Sequence, residues 1–119
     1  MTNSMNDIRN SKAVVIWGEN ICTSHPIAMQ HVLHAKEMNK APVVVIDPRF
    51  SKTAAFADLH VSVRQGTDVA LVYGVINIIL ATGWEDKKML AERTYGFELL
   101  QEELKKYDLD TVADVTGVS

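Results

Sequence analysis

The chain has 119 residues, 47% of them hydrophobic, and a formal net charge of −3; this suits one domain, or part of one, with a real core rather than a disordered chain. The acidic balance excludes the basic footprint of a nucleic-acid binder. A lone cysteine, Cys22, excludes an intrachain disulfide and any zinc or iron–sulfur site built from cysteines of this chain.

The N-terminal stretch Met1-Thr2-Asn3-Ser4-Met5-Asn6-Asp7 is polar and lacks the apolar segment of a signal peptide. Residues 2–11 read as an irregular connection or one helical turn, with Asn6-Asp7-Ile8 as its cap and first turn. Ala13-Val14-Val15-Ile16-Trp17 follows, five apolar residues that suit a strand buried on both faces of a parallel sheet. Gly18 permits a sharp turn, and Pro26, with no amide hydrogen to lose, suits the first position of a helix capped by Thr23, Ser24 or His25. The helix runs to Asn39, with Ala28, Met29, Val32, Leu33 and Ala35 on one side and Gln30, His34 and Glu37 on the other.

Asn39-Lys40-Ala41-Pro42 breaks that helix, Val43-Val44-Val45-Ile46 is a second strong strand, and Asp47-Pro48 ends it. Strand, helix, strand in this length is a βαβ unit with parallel strands. Residues 51–57 suit a short helix, and Leu59-His60-Val61-Ser62-Val63 alternates as an edge strand with one wet face. After the loop Arg64-Gln65-Gly66-Thr67-Asp68, with a cap at Thr67 or Asp68, residues 69–80 are apolar almost all round. Their length, and Gly83 as a C-terminal cap, predict a buried helix that is shorter than a membrane span and makes no membrane contact. Two more helices follow, at 86–93 with acidic residues in its first turn and at 97–106, while 111–119 ends without an obvious element, as in a cut fragment. The fold class is α/β: a Rossmann-like three-layer domain with a parallel sheet, short of the usual five or six strands and so incomplete.

The polar residues that follow the three strands carry the functional signal: Gly18, Glu19 and Asn20; Asp47, Arg49, Ser51 and Lys52; Gly66, Thr67 and Asp68. In a parallel sheet such loops converge on one edge, and their chemistry suits a nucleotide: backbone amides and Arg49 for phosphate, Asp47 for ribose hydroxyls, Asp68 for a base that donates hydrogen bonds. Guanine presents such a two-donor edge. Plainer roles stand beside these. Asp47 and Asp68 suit a turn and a helix cap as well, and Arg49 and Lys52 suit solvent. The dinucleotide fingerprint G-x-G-x-x-G is absent, since Gly18 alone of its glycines occurs. His31 and His34 lack a third ligand at metal spacing, Cys22 lacks a base beside it, Trp17 suits the core, and no catalytic or metal-binding residue is assigned.

Taken together, Trp17-Gly18-Glu19-Asn20 with His25-Pro26, Val45-Ile46-Asp47-Pro48-Arg49-Phe50-Ser51-Lys52-Thr53-Ala54, and Arg64-Gln65-Gly66-Thr67-Asp68-Val69-Ala70-Leu71 resemble the molybdopterin oxidoreductase family. With Thr2 to Ile8 and Glu92-Arg93-Thr94-Tyr95-Gly96-Phe97, the likeness is greatest to formate dehydrogenase catalytic (alpha) subunits, of which this would be one internal piece.

The resemblance implies that residues 1–119 belong to the α/β domain binding one of two molybdopterin guanine dinucleotides (bis-MGD), which hold molybdenum or tungsten in the parent. It implies that Gly18, Glu19 and Asn20 approach the pyrophosphate, that Asp47, Pro48 and Arg49 border ribose and phosphates, and that Gly66, Thr67 and Asp68 meet the guanosine. Glu19 departs from the small residue expected in that turn. The family's cysteine cluster for a 4Fe-4S centre, its metal-ligating cysteine or selenocysteine and the neighbouring histidine have no counterpart here, so the chain alone is expected to be inactive. Its expected partners are the remaining domains of the parent subunit and that parent's electron-transfer subunits, in the cytoplasm unless the parent is exported. Two alternatives stand: the same domain of a nitrate, polysulfide or thiosulfate reductase, or a stand-alone module that binds a nucleotide without catalysis.

Overall fold

Three short strands pair in parallel in their sequence order, β1 (Val14–Trp17), β2 (Val43–Ile46) and β3 (Leu59–Val61), in a computed structural model that describes residues 3–118. The expectations for Thr2 and Ser119 lie outside the described residues. The register sets Val14 beside Val43, Trp17 beside Ile46, and Ile46 beside Val61. The chain divides into two compact units, Met1–Ser62 and Val63–Ser119.

In the first unit, β1 leads through a one-turn helix, α1 (Ile21–Ser24), into α2 (Pro26–Asn39) and then β2, the predicted βαβ unit. Pro26 opens α2, but the preceding cap residue, His25, makes no side-chain capping bond, and α1 was not anticipated. The inward face of α2 is the predicted one: Ala28, Met29, Val32 and Ala35 are buried. Met29 and Val32 close on Ile16, Val43, Val45 and Ala54, with Leu33 and Cys22 partly buried against them. α2 ends at Lys40, whose φ of 56° is left-handed. The N-terminal segment forms a 3-10 helix, Met5–Asn10, capped by Ser4 rather than started at Asn6, and Asn39 ties it to α2 by donating to the carbonyls of Arg9 and Ser11 at 2.7 and 3.1 Å.

Two expectations for the sheet fail in this unit. β2 is buried except for half-buried Val44, but β1 is not buried on both faces: Val15 is 59% exposed. Alternation puts Val15, Val44 and Leu59 on one face, opposite the face that α2 covers, and Leu59 is 55% exposed. Within this unit α2 covers one face of the sheet. β3 is also shorter than predicted, and the pattern departs at its start, where Leu59 faces solvent and His60 is half-buried, whereas Ser62 is exposed and Val63 buried as expected. Ionic and backbone bonds hold the start of β2. Asp58 accepts from the Val43 amide at 2.8 Å and pairs with Lys36 of α2 at 2.9 Å, and its own amide donates to the Val43 carbonyl.

The second unit is helical: α3 (Asp68–Thr82), α4 (Lys87–Arg93), α5 (Phe97–Leu104) and α6 (Leu109–Thr116). α3 is longer than the predicted 69–80, starting one residue earlier and running two further, and it ends on left-handed Gly83 as expected, but it is not buried all round. Ala70, Leu71 and Gly74 are buried, whereas Val69, Val72, Val75 and Ile78 are exposed. Asp86 caps α4, accepting from the Met89 amide, rather than lying in its first turn. The predicted featureless end is instead α6, capped by Asp108 and closed by left-handed Gly117. α3 and α6 meet where Gly74 faces Val112, and Asn77 of α3 donates to the carbonyls of Leu104 and Tyr107 at 3.1 and 2.6 Å. Among the described residues no single helix is long and apolar enough to cross a membrane.

Candidate functional site at the carboxyl ends of the strands

The strand ends of the first unit are stitched together by main-chain bonds that continue the ladder. Gly18 donates to the Ile46 carbonyl at 2.8 Å, and Asp47 donates to the Val61 carbonyl at 3.1 Å. The turn after β1 and the loop after β2 are therefore neighbours, as a parallel sheet requires.

Gly18 has φ of 64°, a conformation that an L side chain resists, and no atom lies within 4 Å of where a Cβ would be. The main chain is approachable on that side. Glu19 is exposed, and its carboxylate is engaged within the chain: Oε1 accepts from the Ser24 hydroxyl and lies 3.5 Å from His25 Nδ1. The Ser24 hydrogen bond, aided by His25, lowers the Glu19 pKa below the usual glutamate value. The acid is thus drawn toward the start of α2, so the departure from a small residue at this position leaves the turn itself open. Asn20 caps α1 in position but not with its side chain, which bonds instead to Thr53 and Thr23.

Asp47 is 9% exposed, and three bonds fix it: its amide to Val61, its carbonyl from His60 Nε2 at 2.9 Å, and its Oδ1 from the Arg49 amide at 2.7 Å. The last is the turn-forming bond that Asp makes two residues on, so the plainer reading of Asp47 as a turn residue is correct as far as Oδ1 goes. Pro48 and Arg49 are exposed, and Arg49 makes no ion pair among the described residues. Ser51 is buried and accepts from the Ala54 amide at 3.3 Å, leading into a 3-10 turn, Ala54–Phe56, within the span expected to be helical.

Gly66, Thr67 and Asp68 belong to the second unit. Gly66 has φ of 81° with open space beside it, Thr67 turns its hydroxyl back to the Arg64 carbonyl at 2.7 Å, and Asp68 is the exposed first residue of α3. Thr67 holds the cap position without capping. Arg64 secures this loop, donating its amide to the Thr116 carbonyl at 2.9 Å and its guanidinium to the carbonyls of Asp114 and Val115 at the end of α6.

Three contributors to this geometry had no role assigned from sequence: Thr53, His60 and Arg64. Each acts through a hydrogen bond to a residue far along the chain, and no local pattern signals such a bond. Among the described residues no group of three His, Cys, Asp or Glu side chains is placed to hold a metal ion; His34 instead lies 3.4 Å from the Arg9 guanidinium.

The sequence profile described as molybdopterin oxidoreductase matches residues 1–107. Formate dehydrogenase H of Escherichia coli strain K12 is 39% identical over 119 residues, covering 100% of this chain and 16% of its own length. The assimilatory nitrate reductase catalytic subunit of Bacillus subtilis strain 168 is 36% identical over 119 residues, 100% of this chain and 17% of its own. Among solved structures, acetylene hydratase from Pelobacter acetylenicus superposes with a TM-score of 0.81 at 28% identity, over 97% of this chain and 17% of that one. The chain thus spans about a sixth of the length of the relatives it matches. On the profile match, the full-length similarity and the shared fold, this chain belongs to the molybdopterin oxidoreductase family.

Proposed function

We propose that residues 1–119 form part of a Rossmann-like α/β domain that grips the guanosine diphosphate end of one molybdopterin guanine dinucleotide in a bis-MGD enzyme of molybdenum or tungsten. The parent, on this reading, is a cytoplasmic formate dehydrogenase. It oxidises formate to carbon dioxide and passes electrons through a 4Fe-4S cluster to electron-transfer subunits. The likeness to formate dehydrogenase H along the whole chain supports the choice of enzyme.

The observation that carries the cofactor reading is the stitched edge of the first unit. It joins an approachable glycine turn to a loop bearing a buried carboxylate and an exposed arginine. Those residues fit such a group. The turn at Gly18, Glu19 and Asn20 offers main chain to the pyrophosphate, Asp47 with Pro48 borders the ribose, and Arg49 faces phosphate. From the second unit, Gly66 and Thr67 lead to Asp68, whose carboxylate matches the two donors of guanine. When bound, the cofactor supplies the two-electron chemistry, while these residues supply binding and orientation. The chain alone holds no catalytic residue and is inactive on this proposal.

Titration of the isotope-labelled chain with GDP and with ADP tests the site: GDP shifts the amides of Gly18, Asp47 and Asp68, and ADP shifts them less. A folded sample in which neither nucleotide moves those amides overturns the assignment. Asp68→Asn narrows the GDP preference by roughly tenfold, the value of a charge-assisted hydrogen bond. For the parent, turnover of formate by the purified enzyme is expected. The likeness to a nitrate reductase favours one second reading, and reduction of nitrate without turnover of formate would establish it.

A further inference from the structure

The geometry points to Thr53 as a positioning residue that fixes the Gly18 to Asn20 turn from the neighbouring loop, and to the Asn20 side chain as part of that device rather than a ligand contact. Asparagine is among the best helix N-caps, and its oxygen ordinarily accepts from an amide of the first turn. Asn20 stands at the cap of α1 and makes no such bond. The Cys22 amide that it would serve donates instead to Thr53 Oγ1 at 3.1 Å, from a residue 31 positions away. The Thr53 hydroxyl then passes its own hydrogen to Asn20 Oδ1 at 2.9 Å, and Asn20 Nδ2 donates to Thr23 Oγ1 at 3.0 Å. Both ends of the carboxamide are committed within the protein.

Thr53 suits this task because it cannot wander. It is 0% exposed, and it immediately precedes the 3-10 turn Ala54–Phe56, whose Phe56 amide donates to the Thr53 carbonyl at 3.1 Å. A buried hydroxyl that both accepts and donates leaves orphaned groups on either side when it is removed. One hydroxyl thereby makes the turn after β1 and the loop after β2 a single hydrogen-bonded body. A ligand at the turn then meets main chain held in place by Asn20, not the Asn20 carboxamide. The part of this inference that concerns a ligand rests on the cofactor reading above.

The test uses the full chain, with GDP as the probe, in wild type, Thr53→Ser, Thr53→Val, Asn20→Ala and the Val/Ala double variant. Thr53→Val and Asn20→Ala should each weaken GDP binding about tenfold, and the double variant by about the same factor, because the two side chains act as one unit. Thr53→Ser, which keeps the hydroxyl, should stay within about threefold. A Thr53→Val chain that binds GDP like wild type, or a double variant that loses about a hundredfold, overturns the inference.

Two further readings need no ligand-binding variant. In wild type the Asn20 side-chain amide resonances should move less on GDP addition than the Gly18 amide, and a larger movement overturns the inference even if Thr53→Val fails to fold. Should wild type bind no GDP, the cofactor reading falls, and Thr53 is judged by amide exchange at Cys22. That exchange must quicken in Thr53→Val and stay slow in Thr53→Ser; a Cys22 amide still protected in Thr53→Val sinks the assignment.

Discussion

His60, on the edge strand β3, donates through Nε2 to the main-chain carbonyl of Asp47 at 2.9 Å, while its ring meets Phe50 edge-on with centroids 5.2 Å apart. A carbonyl can only accept, so Nε2 carries the hydrogen. His60→Leu is expected to cost about 1 kcal/mol and to weaken GDP binding, while His60→Gln, whose amide nitrogen reaches a similar point, keeps most of both. Denaturant unfolding and GDP titration of the two variants check this.

Two glycines should respond to alanine for different reasons. Gly18→Ala meets open space but a left-handed backbone, and should cost about 1–2 kcal/mol. Gly74→Ala meets no backbone strain but puts its methyl 2.8 Å from Val112 Cγ1, so overpacking of about 1–3 kcal/mol outweighs the helix-propensity gain of about 1 kcal/mol. Adding Val112→Ala should recover stability in Gly74→Ala and none in Gly18→Ala, as read from unfolding midpoints.

Acid should loosen the first unit through Asp58. The Lys36 ammonium and then the Val43 amide hold its pKa below the ordinary aspartate value of 3.8. A carboxylate whose folded pKa is depressed stabilises the fold fully above its unfolded pKa, and that share is lost as pH falls through the folded value. Stability should be level above about pH 5 and fall below about pH 4. Asp58→Asn should be less stable at neutral pH and show a shallower acid decline. Equal slopes in the two proteins would refute the assignment.

Arg64 joins the loop of Gly66 to Asp68 to the end of α6, and it does so with two groups at once. Arg64→Lys keeps the charge but not the planar fork that spans the Asp114 and Val115 carbonyls, so it should behave nearly as Arg64→Ala, each losing about 1–2 kcal/mol. Faster amide exchange at Gly117 and Val118 in both variants is the accompanying local sign.

Much of the fold was legible because it rests on short-range pattern. The apolar spacing of 26–39 gave α2 and its buried face, the β-branched run 43–46 gave β2, and Gly83 marked the end of α3. What failed was burial that depends on neighbours: Val15 and the outer side of α3 are apolar in sequence but exposed in this chain. α6 was missed although Asp108 caps it and Gly117 closes it, because its eight residues give little more than two turns of periodicity. For the candidate site, sequence order gave the loops, and the bond from Gly18 to Ile46 shows two of them adjacent. The bonds of Thr53 and His60 were out of reach, since a hydroxyl or imidazole declares its partner only after the chain has folded.

The strand order β1-β2-β3 follows the order of synthesis. Each strand finds its partner in the next one along, so no pairing waits for a distant segment, and the entropy lost on closing each loop stays small. Assembly of the sheet can begin as soon as β2 leaves the ribosome. The bonds from Gly18 to Ile46 and from Asp47 to Val61 that join this edge thus draw on no residue of the second unit.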